Sequence, residues 1–151
     1  MDWQYLSENV YFKDGSLRDI VVSNTTANDW VVWADYVNAN YRVTFQKHDD
    51  SPVDDRVEMN KVFEFWESPD NVCVTANVFL NDIQLSAHFF DDKEIENDIT
   101  PLEVNSILDH EMIIDYMVGL SKALNKTVIL TPENTHDETI ISVSGDLISI
   151  I

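Results

Sequence analysis

The sequence predicts an α+β fold, with a largely antiparallel sheet and two or three helices packed mainly on one of its faces. Two observations lead to this prediction: paired runs of alternating apolar residues, which are typical of β-hairpins, and one long segment with apolar residues at helical spacing. Helices are too few to alternate regularly with strands, so a parallel α/β sheet is not expected. At 151 residues, the chain is expected to form a single domain spanning 1–151.

The first third of the chain is predicted to hold a helix between strands. Apolar side chains at helical spacing predict this helix over residues 26–38, with Thr25 or Thr26 as its N-cap. Trp33 and Tyr36 lie beside the apolar face and are expected to be half exposed. Strands are expected on either side, at residues 10–12, 17–22 and 41–46.

The clearest element is a hairpin in the middle of the chain. Residues 72–80 and 83–89 both alternate between apolar and polar side chains, and residues 81–82 suit a two-residue turn. The register pairs Leu80 with Ile83 and places the apolar residues of both strands on one face. Just before this hairpin, residues 55–66 fit either a helix or a strand, with the apolar spacing favouring a helix.

A long helix is predicted over residues 106–124, where apolar residues form a stripe along one side. Asn105 or Ser106 can cap its start, and Asn125 is a suitable residue for its C-terminal end. The remaining strands are expected at residues 95–99, 127–130, 140–143 and 147–150.

Composition limits the classes of partner and chemistry. The chain carries 28 acidic and 9 basic residues, for a net charge of −19. Phosphates would repel such a chain, so binding to nucleic acid or to an anionic membrane is not expected, whereas a basic protein or a cation is permitted. The alternative is that the acidity only keeps the protein soluble. With 44% hydrophobic residues, the chain is not a disordered acidic tail.

The compartment and cofactors are also constrained. A single cysteine, Cys73, excludes an internal disulfide and a cysteine-rich zinc site. No secretory signal and no apolar run of about 20 residues is visible, so a cytoplasmic location is expected. With 3 glycines, a glycine-rich phosphate-binding loop is not expected, and no cofactor is predicted.

One acidic segment precedes and enters a predicted strand. Alternation places Glu94, Glu96 and Asp98 on one face, as a stripe of like charges that costs stability. Either a basic partner relieves this repulsion, or the residues form a charged edge strand that resists aggregation. The residues expected to bind a partner here are Asp91, Asp92, Glu94, Glu96 and Asp98.

A second acidic segment holds four carboxylates within seven residues, namely Asp49, Asp50, Asp54 and Asp55. It lacks the central glycine and terminal glutamate of an EF-hand loop, so a solvated loop is favoured over a metal site. These four residues are the second expected contact with a basic partner. Trp33 and Tyr36 are the expected aromatic anchors of such a contact.

The four histidines give no metal motif: His48, His88, His110 and His136. His110-Glu111 begins like the metalloprotease helix motif, but Ile114 stands where the second histidine is needed, so His110 is expected to be an exposed helix residue. His88 lies one cross-strand pair from Cys73 in the predicted register. A catalytic Cys–His pair needs a third, orienting group, and Cys73 is better explained as a small core residue.

Three segments carry a resemblance to known proteins: YFKDGSLRDI at residues 11–20, AHFF at residues 87–90 and TVILTPEN at residues 127–134. In these segments, and over most of its length, the chain resembles small uncharacterised bacterial proteins associated with the immunity proteins of polymorphic and contact-dependent toxin systems. The motifs are not catalytic signatures. The resemblance implies a cytoplasmic protein that binds and blocks a cognate toxin.

The function expected from the sequence is therefore an acidic binding protein, not an enzyme, that neutralises a basic partner such as a nuclease toxin. Two alternatives stay open. One is a metal-assisted hydrolase that uses the clustered carboxylates with His48. The other is a homodimeric structural or adaptor protein that pairs through the apolar C-terminal residues 147–151.

Overall fold

The computed structural model of the protein describes residues 2–47, 51–68 and 74–151. The α-helices are α1 (Trp3–Asn9), α2 (Ala27–Asn40), α3 (Met59–Glu67) and α4 (Ile107–Leu124). The strands are β1 (Arg18–Ser23), β2 (Arg42–Gln46), β3 (Thr75–Leu80), β4 (Ile83–His88), β5 (Glu94–Ile99), β6 (Val128–Pro132), β7 (Ile141–Ser144) and β8 (Leu147–Ile150). A short 3-10 helix, Pro101–Glu103, precedes α4.

The eight strands form one sheet in the order β2-β3-β4-β5-β1-β6-β7-β8. Every neighbouring pair is antiparallel. The four helices and one face of the sheet bury their apolar side chains in a common core. The predicted α+β class is confirmed, and the described helices are slightly more numerous than the two or three expected. None of the described helices is both long enough and apolar enough to cross a membrane.

The predicted hairpin is confirmed as β3 and β4. Leu80 pairs with Ile83, and Asn81 adopts a left-handed φ of 60° in the turn between them, as a two-residue turn requires. Residues 72 and 73, at the predicted start of the hairpin, lie outside the described part of the chain.

The ends of α2 and α4 are fixed by their own sequences. At the start of α2, the Thr26 side chain accepts a hydrogen bond from the Asp29 amide, and Asp29 accepts one from the Thr26 amide in return. Ser106 caps α4, and Asn125 ends it in the left-handed conformation. These caps satisfy amides and carbonyls that have no partner inside the helix.

The open choice between helix and strand at residues 55–66 is resolved in favour of a helix, α3, which begins at Met59.

The strand expected at residues 10–12 was a wrong prediction. The chain forms α1 just before this position, and the Asp2 side chain caps it by accepting from the Tyr5 amide. Leu6 is fully buried in the common core. A helix of 7 residues is unstable alone, so α1 depends on this packing, which local propensity does not show.

The expected half-exposure of Trp33 is also wrong, because its side chain is fully buried. Its indole Nε1 donates to the Tyr116 hydroxyl at 2.9 Å, and that hydroxyl donates to Asn97 Oδ1 at 2.5 Å. The chain of hydrogen bonds links α2, α4 and β5 through the core. Tyr36 is half buried, and its hydroxyl donates to the Tyr116 carbonyl at 2.9 Å.

Gly119 allows α2 and α4 to approach closely. A Cβ atom at this position would overlap the Tyr36 hydroxyl and lie 2.8 Å from Tyr36 Cε1. In an open helix, glycine to alanine would add about 0.5–1 kcal/mol of stability. Here we expect Gly119→Ala to lower the free energy of unfolding by about 1–3 kcal/mol, because the added methyl group would overfill the half-buried contact between the two helices.

Urea unfolding of a double-mutant cycle tests this explanation. In a Tyr36→Ala background the overlap is gone, so Gly119→Ala should become neutral or stabilising. If Gly119→Ala stabilises the otherwise unaltered protein, the close approach of the two helices does not constrain this position.

Candidate functional site

The acidic residues of β5 lie on the sheet face opposite the four helices, which we term the helix-free face. Ile95, Asn97 and Ile99 point into the core, so the alternating side chains of Glu94, Glu96 and Asp98 point away from it. The predicted alternation of the strand is confirmed. β5 lies between β4 and β1, however, so the alternative of a charged edge strand is wrong.

A further carboxylate joins this row from the neighbouring strand. Asp19 on β1 pairs with Asp98 across the ladder, and directly paired residues share a face of an antiparallel sheet. We name these four residues, Asp19, Glu94, Glu96 and Asp98, the acidic stripe. Their side chains are 4%, 38%, 14% and 16% exposed, respectively. The stripe is therefore a recess, with Glu94 at its open end.

The connection between β6 and β7 contacts three of the four stripe residues. His136 in this connection places Nε2 at 2.9 Å from Asp19 Oδ2 and 3.0 Å from Glu96 Oε1, and Nδ1 at 3.5 Å from Glu94 Oε1. The Asn134 amide also donates to Asp19 Oδ2, at 2.9 Å. Asp19, Glu96 and His136 thus bring potential metal-ligand atoms within 4.8 Å of one another.

The cluster shifts its own protonation equilibria. Burial by itself lowers the pKa of His136, but the hydrogen bond to Asp19 and the charges of Glu94 and Glu96 outweigh it, and the net pKa is raised. Burial raises the pKa of Glu96, and the negative charge of Asp19 raises it further. Both ring nitrogens of His136 face carboxylate oxygens, an arrangement that suits the doubly protonated imidazolium.

A second histidine contacts the stripe at Asp98. His88 on β4 hydrogen-bonds to Asp98 through Nε2, and this bond raises the pKa of His88 against the opposing effect of burial. The Phe90 ring stacks on the His88 ring with centroids 5.4 Å apart. Phe90 is 72% exposed, so it places an open aromatic surface beside the stripe.

The stripe has no strong counterion in the described part of the protein. Its ion pairs there come from His88 and His136. The lysine ion pairs lie elsewhere, with Glu64, Asp54, Glu58, Asp146 and Asp29 as the acidic partners. Two histidines cannot balance four carboxylates at neutral pH, so the recess keeps a negative charge.

The other predicted contact residues divide into two places. Asp91 and Asp92 lie in the loop that leads into β5, and Asp91 is exposed. Asp54 lies beyond β2, where its backbone bonds to Phe45 and its side chain pairs with Lys61 at 3.2 Å. Three strand spacings, about 14 Å, separate β2 from β5. The exposed Asp55, which follows Asp54, therefore belongs to a different surface from the stripe.

Several predicted residues do not join the stripe or are not described. Trp33 and Tyr36 lie on α2, on the opposite face of the sheet, so neither aromatic flanks the stripe. His48, Asp49, Asp50 and Cys73 lie outside the described residues, and this includes the suggested Cys73–His88 pair.

His110 is buried, and the expected exposed position is wrong. Its Nδ1 hydrogen-bonds with the Tyr11 hydroxyl at 2.8 Å, and burial lowers its pKa. His110 therefore has a structural role in joining α4 to the segment after α1.

Three contributors to this site were not predicted from the sequence: Asp19, His136 and Phe90. Alternation along the predicted strand at residues 17–22 was a usable signal that Asp19 points away from the core. No local pattern connects His136 with Asp19, which lies 117 positions earlier in the chain. Comparisons with models of protein families, with curated proteins and with solved structures find no match to this chain.

Proposed function

We propose that the protein is an acidic binding domain that neutralises a basic protein partner through its helix-free face. The observation that carries this proposal is the acidic stripe at the centre of that face, for which the described residues supply only histidines as counterions. A lysine- or arginine-rich surface would complete the missing charge. Such complementarity favours fast, electrostatically steered association.

The surroundings of the stripe suit a protein surface as the partner. Glu94 is accessible at the end of the recess, and Asp91, Asp137 and Glu138 are exposed around it. Phe90 offers an exposed aromatic ring next to these charges, and aromatic residues near the centre of an interface commonly anchor it. The proposed contact therefore combines a charged rim with one apolar anchor.

We further propose that the partner is a cognate toxin and that this chain is its immunity protein. The resemblance of residues 11–20, 87–90 and 127–134 to such proteins supports this identification. A nuclease toxin needs a basic surface to hold phosphates, and an acidic protein seated on that surface would block its substrate. An immunity protein of this kind would act in the cytoplasm, where it would meet the toxin.

The test is affinity capture with a matched pair of charge-reversal variants. The protein is immobilised, native lysate is passed over it at low salt, and bound proteins are eluted with increasing salt. We expect a single basic protein at a one-to-one ratio. Asp91→Lys with Glu94→Lys should weaken its binding about tenfold or more, because like charges then oppose each other. The rate at which the unaltered protein associates with this partner should fall steeply as the salt concentration rises.

The matched control is Asp35→Lys with Asp55→Lys, which changes the net charge equally at two exposed positions, one on α2 across the sheet from the stripe and one beyond β2. This variant should bind as the unaltered protein does. Equal losses in both variants, or a diffuse set of basic proteins eluting from both, would mean nonspecific ion exchange. Loss in the control alone would move the contact to the surface around Asp54 and Asp55.

A further inference from the structure

His136 and two carboxylates of the stripe form an assembled set of nitrogen and oxygen donors. The set comes from three separate places in the chain: β1 supplies Asp19, β5 supplies Glu96 and the β6–β7 connection supplies His136. We propose that Asp19, Glu96 and His136 bind a divalent first-row transition-metal ion, for which Zn²⁺ is the representative tested below. This inference does not depend on the proposed protein partner.

The distances between His136 Nε2 and the two carboxylate oxygens are close to those between ligand atoms around a metal ion. Zinc binds histidine nitrogen and carboxylate oxygen at about 2.0–2.2 Å, so two ligand atoms on a tetrahedron lie about 3.3 Å apart. His136 Nε2 lies 2.9 Å from Asp19 Oδ2 and 3.0 Å from Glu96 Oε1. Small outward shifts of the side chains would therefore admit the ion, without any change in the sheet.

The carboxylate partners of His136 are held in place before any ion arrives. Asp19 is 3% exposed and accepts a hydrogen bond from the Asn134 amide. Its strand is paired on both sides, with β5 and with β6. Glu96 stands on an interior strand and is 14% exposed on its side chain. Such support around metal ligands strengthens binding because fewer groups must be ordered.

Charge provides the second argument. Glu94 faces the other nitrogen of His136, so three carboxylates surround one imidazole. The side chains of Asp19 and Glu96 are only 4% and 14% exposed, and buried charges are costly unless they are paired. A divalent cation held between these carboxylates would offset the negative charge that they bring together.

The donor types select among metals. One imidazole nitrogen with carboxylate oxygens suits Zn²⁺, Mn²⁺ or another first-row ion, whereas Ca²⁺ prefers six to eight oxygen ligands and Mg²⁺ retains several waters. We therefore expect Zn²⁺ to bind more tightly than Mn²⁺, as the general affinity order requires. Ca²⁺ should bind most weakly.

The experiment uses the full chain without an affinity tag, treated with a chelator and then dialysed. ZnCl₂, MnCl₂ and CaCl₂ are titrated by isothermal calorimetry near neutral pH, and thermal unfolding is followed with and without each metal. We expect one Zn²⁺ per chain and a higher unfolding temperature, because an ion that binds only the folded state stabilises it. His136→Ala and Glu96→Gln should each weaken Zn²⁺ binding by about tenfold or more.

His88→Ala is the matched control, because His88 is exposed to a similar degree and pairs with a carboxylate of the same stripe. It should leave Zn²⁺ affinity within about twofold of the unaltered protein, a small change on the free-energy scale. Glu96→Gln keeps the side-chain size, so a loss in this variant with unchanged circular dichroism cannot be assigned to unfolding.

Three results would overturn the metal site: no saturable Zn²⁺ binding, equal weakening by His88→Ala and His136→Ala, or unchanged affinity in both His136→Ala and Glu96→Gln. All of these measurements are made without a protein partner. Failure of the metal site therefore leaves the capture experiment unaffected, and failure to capture a partner leaves this one unaffected.

Discussion

Replacing Trp33 with alanine is expected to lower the free energy of unfolding by about 3–5 kcal/mol, the range for removing a large aromatic side chain from a core. The ring is fully buried and packs edge-on against Trp30 at 5.2 Å and Phe89 at 5.9 Å between centroids. The substitution also removes the Nε1 donor to Tyr116. The free energy of unfolding of a whole domain is only about 5–15 kcal/mol. This single substitution is therefore expected to remove a large part of it.

Urea unfolding of two further variants separates packing from hydrogen bonding. Trp33→Phe keeps a buried ring but loses the donor, and we expect a smaller cost of about 1–3 kcal/mol. Phe90→Ala removes an aromatic ring that is 72% exposed, and it should change stability by no more than about 0.5 kcal/mol. If Trp33→Ala unfolds at the same urea concentration as the unaltered protein, Trp33 does not support the core.

Arg18→Met is expected to destabilise the fold by about 3 kcal/mol or more, because it leaves one buried and two partly buried backbone carbonyls without their donor. Arg18 is fully buried on β1. Its guanidinium donates to the carbonyls of Val10, Leu17 and Phe12 at 2.7, 2.8 and 3.0 Å, respectively. These contacts hold the segment between α1 and β1 against the sheet. Loss of the guanidinium should therefore also release α1 from the core.

Arg42→Met is the matched control for this prediction. Both guanidinium groups lie over a phenylalanine ring, at 4.1 Å from the Phe12 centroid for Arg18 and 3.8 Å from the Phe79 centroid for Arg42. Arg42 is exposed, so its replacement should cost less than about 1 kcal/mol. Equal urea midpoints for the two variants would show that the bonds from Arg18 to these backbone carbonyls contribute little to stability.

The hairpin of β3 and β4 and the helices α2 and α4 could be predicted from the sequence because their signals are local. Alternation fixes which residues of β3 and β4 share a face, and a slip by one residue would expose all of them. Thr26 and Ser106 mark the helix starts through bonds to amides three residues ahead. The same reasoning placed Glu94, Glu96 and Asp98 on one face of β5.

The order of the strands could not be predicted in this way. β1 inserts between β5 and β6, and this makes β5 an interior strand and brings Asp19 beside Glu96. The burial of Trp33 has the same origin, because it depends on α2 packing against α4 and the end of β4. Residues far apart in sequence meet only through the common core, and no short pattern records which surfaces pack together.

The sequence by itself determined the α+β class, the acidity, the hairpin register and, to within one residue, the starts of the two longer helices. Each of these depends on side-chain period, turn chemistry or composition, all of which are properties of neighbouring residues. Only the tertiary structure decided that Asp19, Glu96 and His136 form one cluster, with Asp19 and His136 separated by 117 residues in the chain. The physical reason is that strand pairing and core packing between distant segments bring these three residues together, and both depend on the complete fold.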